Sequence, residues 1–247
     1  MERTFENRAK RKLERGETIS CVGGLMNSHV IDFLGQFGFD AIWIEAEHGP
    51  IDFADLPDMT RACDLWGMTS VVRVNQNDYG LIYRTLDMGA QGVTVPHVDT
   101  AEEAKEVVRA AKFHPVGQRG MFSSRQSYGR ENFFAQQNNE TLLIVLIEDV
   151  RAIDNLAEIV KVEPIDVFLV ARADLGQSMG IVEPGHPDVD AVERQAIEQI
   201  VAAGRVAGTV VRDDNVDRYH EMGAKFLLNH WTEWVALSAR NYLQRLT

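Results

Sequence analysis

The chain has few of the residues and segments that characterise secreted or membrane proteins. It contains only two cysteines, Cys21 and Cys63, so no disulfide framework is predicted. No apolar stretch reaches the roughly 18 residues of a membrane span, and the N-terminus lacks the apolar segment of a signal peptide. These absences favour a cytoplasmic protein.

Positive charge is also scarce. The 247 residues include 25 lysines and arginines against 37 aspartates and glutamates, which gives a formal net charge of -12. This balance argues against a nucleic-acid backbone or an anionic membrane as the main partner. A small anionic substrate remains compatible with it, because a local group of arginines can oppose the global charge.

Two families of cofactor motif are missing. Neither G-x-G-x-x-G nor a P-loop occurs, which disfavours dinucleotide and ATP chemistry. No His-x-x-x-His spacing occurs either, so zinc held by three histidines is disfavoured.

The most informative stretch that is present runs from residue 142 to residue 174. Two apolar runs, 142 to 147 and 167 to 170, flank a segment with helical periodicity, and Glu148 and Asp174 follow the two runs. This pattern predicts a β-α-β unit whose acids lie at the mouth of a parallel sheet, where α/β folds bind ligands. The pattern alone is equally compatible with two acids that only cap the following helices.

The same strand-helix rhythm extends over the chain. It predicts an N-terminal helix at 3–15, a terminal helix at 231–246, and eight strands. We therefore expect a (β/α)₈ TIM barrel with residues 1–247 as one domain; a doubly wound open sheet is the competing fold. The strands are expected at 18–24, 41–44, 69–74, 92–95, 142–147, 167–170, 206–211 and 226–228. Only 113–140 breaks the rhythm, which is typical of a functional loop or an assembly element.

In such a barrel all strand ends share one face, so the residues there predict the chemistry. Glu148 and Asp174 favour an oxygen-ligand site for Mg²⁺ or Mn²⁺. A Schiff base is disfavoured because every lysine falls on a helix or just before a strand. The predicted strand ends carry Glu45, Glu47, His48, Arg73, His97, Glu148, Asp174, Arg212 and His230.

Several segments together resemble a known family. The residues at 39–49, 87–96, 117–120, 147–148 and 174–180 are similar, in order and in spacing, to those of the HpcH/HpaI aldolase/citrate lyase family. The resemblance is strongest to its class II pyruvate aldolases and runs nearly end to end.

The resemblance implies roles for particular residues. Glu148 and Asp174 would hold a divalent metal that pyruvate chelates, with Mg²⁺ or Mn²⁺ favoured and Co²⁺ or Zn²⁺ still open. Arg73 would stabilise the enolate oxygen. His48 would be the acid/base residue, with Asp87 as its partner.

The resemblance also bears on substrate binding. The backbone at Ala173 and Asp174 would approach the pyruvate carboxylate. The chain departs from the family at Leu146, where many members have glutamine, and at residues 171–172, where many have Gly-Pro. Because Arg172 adds a positive charge beside the substrate, we expect a preference for an anionic aldehyde or a dicarboxylate. An outward surface ion pair of Arg172 is the alternative.

The predicted function is metal-dependent, reversible aldol cleavage of a 4-hydroxy-2-oxo acid to pyruvate and an aldehyde. An oxaloacetate-like or acyl-CoA substrate, or a degenerate barrel that binds a metabolite without turnover, are the alternatives. Family members are commonly hexamers, so the terminal helix is expected to pack on a neighbouring subunit.

Overall fold

The computed structural model describes residues 6–246, and its centre is a closed barrel of eight parallel strands. Each strand pairs with the next along the chain, and β8 closes the barrel by pairing with β1. The predicted (β/α)₈ barrel is thus confirmed, and the open doubly wound sheet is wrong. The strands are β1 Ile19–Gly23, β2 Ala41–Glu45, β3 Thr69–Arg73, β4 Gly92–Val95, β5 Leu142–Ile147, β6 Val167–Val170, β7 Val206–Val210 and β8 Phe226–His230.

Helices surround the barrel and return the chain from each strand end to the start of the next strand. They are α1 Arg8–Glu14, α2 Ser28–Gly35, α3 Leu56–Leu65, α4 Tyr79–Asp87, α5 Ala101–Ala111, α6 Phe133–Glu140, α7 Val150–Ile159, α8 Arg172–Ser178, α9 Pro187–Ala202, α10 Val216–Glu221 and α11 Trp231–Gln244, with one 3₁₀ turn at Arg125–Ser127. No helix within residues 6–246 is long and apolar enough to cross a membrane.

Strand alternation divides the apolar side chains into two cores. One set fills the barrel lumen and includes Trp43, Leu146, Leu169 and Leu228. The other lies between the strands and the surrounding helices. Because side chains alternate along a strand, the residue two positions beyond a lumen residue also faces the lumen. This rule identifies the residues at the mouth.

The segment 113–140 has its C-terminal part at the end of the barrel opposite the mouth. It connects the end of α5 to the start of β5 and contains α6. Lys112 is fully buried beside it and donates hydrogen bonds to the carbonyl oxygens of Asn138 and Thr141, each at 2.7 Å. Asn7 joins α1 to the same region by donating to the carbonyl oxygens of Gln91 and Glu140. Part of this segment therefore closes the bottom of the barrel.

Most predicted element bounds hold within a few residues. Thr100 and Glu103 form a capping box at the start of α5. Helix α3 begins at Leu56, with Asp55 as its N-cap. The helix α8 was not predicted. The described part of the N-terminal helix begins at Arg8, and residues 3–5 of the predicted helix lie outside the described residues.

Candidate functional site

Five polar side chains belong to the top layer of the lumen. Glu45 and Arg73 end β2 and β3, Glu148 follows β5, Arg212 follows β7, and His230 ends β8. Each lies two residues beyond a strand position on the lumen side, so alternation directs it toward the mouth. The mouth is a cavity of about 1230 Å³ whose lining includes Glu45, Arg73, Arg212 and His230. A cavity of this size accommodates a small-molecule substrate.

Arg73 is held in place by two glutamates. Its Nε donates to Glu45 Oε2 at 2.7 Å, and its Nη1 lies 3.0 Å from Glu47 Oε2. Although burial opposes ionisation, Arg73 holds the pKa of Glu45 below its ordinary value. Glu45 Oε2 also accepts a hydrogen bond from the indole of Trp43 in the lumen. The guanidinium is therefore fixed in orientation at the mouth, and Nη2 is the one nitrogen not used in these contacts.

Glu45 also shapes the loop that carries His48. Its Oε1 accepts hydrogen bonds from the backbone N–H groups of Glu47 and His48, at 2.8 and 3.1 Å. A side chain at Gly49 would meet the carbonyl oxygen of Glu45 at 2.6 Å, so only glycine permits this close turn. The His48 imidazole is 68% exposed, and its Nε2 lies 3.8 Å from Glu47 Oε2. His48 can therefore reach both a carboxylate and a ligand in the cavity.

Glu148 and Asp174 form a pair of carboxylates that suits a divalent cation. Glu148 is 3% exposed, and its Oε1 accepts a hydrogen bond from the backbone N–H of His97 at 2.8 Å. Burial raises the pKa of the Glu148 carboxyl, and the negative charges of Asp174 and Glu47 raise it further. A bound cation would offset these effects by stabilising the charged form of Glu148. Within residues 6–246, no group of three or more His, Cys, Asp or Glu side chains is arranged to hold a metal. A cation here would therefore have Glu148 and Asp174 as its protein ligands, and its other ligands would have to be oxygens of the substrate or of water.

Asp174 lies in a helix, because α8 begins only two residues after β6 ends. Ala173 and Asp174 occupy its first turn, where backbone N–H groups have no partner within the helix. Ala171 precedes the helix and supplies no side-chain cap. Both Ala173 and Asp174 line the mouth cavity, so these amides are available to a carboxylate, as the resemblance implies.

Arg172 belongs to a helix rather than to a loop after β6. It is the first residue of α8, and its Nη1 donates to Asp190 at 3.1 Å and lies 3.7 Å from Glu193 Oε2. Glu193 is 1% exposed and also accepts hydrogen bonds from Thr209 and Tyr219. Arg172 borders the cavity, but two carboxylates of α9 already oppose its charge, which favours the ion-pair alternative over substrate binding.

Asp87 is not beside His48 in this chain. It is the last residue of α4, which runs opposite to the strands and so ends at the bottom of the barrel. There Asp87 Oδ1 accepts a hydrogen bond at 2.6 Å from Arg119, whose side chain is fully buried. The predicted partnership with His48 therefore does not form within one chain.

Two residues that the sequence places at strand ends without a role make contacts within the site. Glu45 orients both Arg73 and the His48 loop. His97 has a left-handed backbone (φ 52°), and its Nδ1 lies 3.4 Å from Glu148 Oε1 while its Nε2 lies 3.9 Å from Glu47 Oε1. In the sequence, only their positions at the ends of β2 and β4 pointed to these two residues. Such a position does not reveal which neighbouring side chains they contact.

Comparison with known proteins identifies the family of the chain. The chain is 36% identical over 219 residues to the 2-keto-3-deoxy-L-rhamnonate aldolase of Klebsiella pneumoniae, covering 86% of this chain and 82% of that protein. It is 33% identical over 231 residues to the hydroxypyruvate/pyruvate aldolase of Roseobacter denitrificans, covering 90% and 89%. A crystal structure of an HpcH/HpaI aldolase/citrate lyase family protein from Burkholderia cenocepacia J2315 matches with a TM-score of 0.90 at 27% identity, covering 97% of this chain and 99% of that one. The family model for HpcH/HpaI aldolase/citrate lyase matches residues 23–229, and the chain belongs to that family.

Proposed function

We propose that this protein is a metal-dependent lyase that reversibly cleaves a 4-hydroxy-2-oxo acid into pyruvate and an aldehyde. One observation carries the proposal. The Glu148–Asp174 carboxylate pair lies at the same barrel mouth as Arg73, whose guanidinium is held by Glu45 and Glu47. The names of the two aldolase relatives support the same reaction class.

Each part of the site has a role in this reaction. A divalent cation at Glu148 and Asp174 would act as a Lewis acid on the 2-oxo acid. The first-turn amides at Ala173 and Asp174 bind the carboxylate of the substrate. Arg73 donates to the enolate oxygen, where negative charge develops during cleavage, and its fixed orientation avoids reorganisation at that moment. His48 takes the proton of the 4-hydroxyl group, which releases the aldehyde.

Hard oxygen ligands favour Mg²⁺ or Mn²⁺ as the metal. Co²⁺ and Zn²⁺ are the alternatives that a metal panel must include. We therefore expect activity to be lost on chelation and to be restored most fully by Mg²⁺ or Mn²⁺.

The function is tested by a pyruvate-release assay over a panel of 4-hydroxy-2-oxo acids, with and without each metal. We expect metal-dependent release of pyruvate, together with exchange of the methyl protons of pyruvate for solvent deuterium. Turnover of an oxaloacetate or acyl-CoA substrate, with none of the hydroxy-oxo acids cleaved, would favour the related-enzyme alternative. Metal binding without turnover of any of these compounds would favour the degenerate barrel.

We further propose that the protein is a homo-oligomer, specifically a hexamer, that covers the outer face of α11. No residue of α11 is buried, and four large apolar side chains on it are more than half exposed: Val235, Leu237, Tyr242 and Leu243. Its first turns pack inward instead, since Trp234 stacks on Phe39 with ring centroids 5.8 Å apart. The loop before the 3₁₀ turn exposes two further large apolar residues, Met121 and Phe122. Exposed apolar patches of this kind mark interfaces.

Light scattering at micromolar concentration should give about six times the 27.7 kDa mass of the chain. The double change Leu237→Glu and Leu243→Glu should dissociate the assembly, while Glu158→Lys on the exposed face of α7 should leave it intact. Because Asp87 lies at the bottom of its own barrel, it could serve His48 only if a neighbouring copy supplied it. A monomeric mass for the wild type would contradict both the oligomer and that role.

A further inference from the structure

The β7–β8 side of the mouth carries two basic side chains that the proposed reaction does not use. Val210 pairs with Leu228, and the backbone N–H of Val211 donates to the carbonyl oxygen of Leu228 at 2.7 Å. Continuing this register by two residues places Arg212 level with His230 on the neighbouring strand. Phe226 and Leu228 both face the lumen, so His230, at the next such position, faces it too. Arg212 and His230 therefore lie side by side at the mouth.

The structure pairs neither side chain with another residue of the described part of the chain. Among residues 6–246, no hydrogen bond or ion pair involves the Arg212 guanidinium or the His230 ring. The other two arginines of the cavity lining differ in this respect, since Arg73 is paired with Glu45 and Glu47, and Arg172 with Asp190 and Glu193. Arg212 is exposed and lines the cavity, so its charge is available to a ligand.

Packing fixes the His230 ring. A side chain on Gly23 of β1 would meet His230 Cδ2 at 2.9 Å, so the ring occupies the space that this glycine leaves. Burial lowers the pKa of His230, and the charges of Arg73 and Arg212 act in the same direction, while Glu233 and Glu45 oppose them. A neutral imidazole held beside a guanidinium offers one N–H donor, and together they can bind two oxygens of one anion.

We propose that Arg212 and His230 form a second anion-binding subsite, which holds a carboxylate or phosphate on the part of the substrate that becomes the aldehyde. This inference rests on the proposed aldol cleavage. In the ring of eight strands, β7 is opposite β3, where Arg73 would hold the enolate oxygen. A substrate bound at Arg73 and extending across the lumen therefore brings its far end to Arg212 and His230. The anion-binding role expected for Arg172 is thereby assigned to residues whose polar groups are free.

The experiment compares kcat/KM in the condensation direction for matched aldehydes. Pyruvate is combined with 4-oxobutanoate or butanal, and with glyceraldehyde 3-phosphate or glyceraldehyde. Arg212→Gln should lower kcat/KM for the anionic member of the preferred pair by about 10- to 150-fold, the loss expected for a hydrogen bond to a charged group, and change the neutral member less than about threefold. The pair with the larger selective loss identifies whether the subsite takes carboxylate or phosphate.

Further variants distinguish a specific loss of anion binding from a general loss of activity. Arg212→Lys should retain part of the selectivity, whereas His230→Ala and Gly23→Ala should each reduce it, the latter by displacing the ring. Arg61→Gln, an exposed arginine of α3, is the matched control and should leave the selectivity unchanged. Equal losses for anionic and neutral aldehydes in Arg212→Gln, or no loss for either, would overturn the proposal.

Deuterium exchange of pyruvate distinguishes this failure from failure of the proposed function, because exchange needs no aldehyde. Exchange by the wild type without anion selectivity would reject only the subsite. Absence of exchange and of condensation in the wild type would reject the aldolase itself. Retention of wild-type exchange rates in Arg212→Gln is expected, and it also shows that the variant is folded.

Discussion

Glu148→Gln and Asp174→Asn are each expected to abolish metal-dependent cleavage, with a loss of at least about 10³-fold, while the protein remains folded. A Lewis-acidic metal contributes several kcal/mol of charge stabilisation in the transition state, and removal of one of only two protein carboxylates should forfeit most of it. Glutamine at position 148 keeps an oxygen that can accept from the N–H of His97, so the local structure should persist.

The measurement is the initial rate of pyruvate release at saturating metal, with calorimetric titration of the metal as a second readout. Asp154→Asn and Glu158→Gln, which lie on the exposed face of α7, are the controls and should behave as wild type. Chelation of the wild type should cause the same loss reversibly. Full activity after exhaustive chelation, or in either site variant, would defeat the metal assignment.

Metal-free stability provides a further check on the same pair. Burial and the charge of Asp174 both oppose ionisation of Glu148. Neutral glutamine removes that cost, so the melting temperature of metal-free Glu148→Gln should equal or exceed that of the metal-free wild type. Metal should raise the melting temperature of the wild type only.

His48→Ala should slow aldol cleavage by roughly 10²- to 10⁴-fold, the loss typical of a missing general base. The imidazole is exposed at the mouth. The hydrogen bond that fixes its loop runs from the backbone N–H of His48 to Glu45 Oε1 and does not involve the ring. Removal of the ring should therefore affect proton transfer with little effect on the loop or on the cation site.

Cleavage and pyruvate deuterium exchange should be measured in parallel for this variant and for Arg73→Ala. Arg73 would stabilise the enolate in both processes, so Arg73→Ala should slow both. His29→Ala, an exposed histidine of α2, is the matched control. Near-normal cleavage by His48→Ala would move the role of the base to Glu47. The Oε2 of Glu47 lies 3.8 Å from His48 Nε2, its side chain is largely buried, and burial raises its pKa.

The sequence was sufficient for the barrel and for most residues of its mouth. Parallel strands are buried on both faces, and successive side chains along each strand point alternately into the lumen and toward the helices. Apolar runs and the residues after them therefore define the lumen layer without further information. Arg73 and Glu148 were placed at the mouth in this way; in the structure Arg73 ends β3 and lines the cavity, and Glu148 directly follows β5. The capping box at Thr100 was equally local, since both partners lie within one helical turn.

Contacts between residues far apart in the sequence determined which of the candidate side chains are free to bind a ligand. Arg172 has a charge that suits a substrate, but Asp190 and Glu193 lie on a helix 18 and 21 residues further along, and only folding brings them to it. Asp87 is drawn away from the mouth by the direction of α4 and is held there by Arg119, 32 residues away. The lack of a polar partner for the Arg212 and His230 side chains among residues 6–246 is likewise a tertiary property, because it depends on which other side chains the fold brings within reach. Local patterns thus determined which residues point into the lumen, and the packing of helices around the barrel decided which of them remain free to bind a ligand.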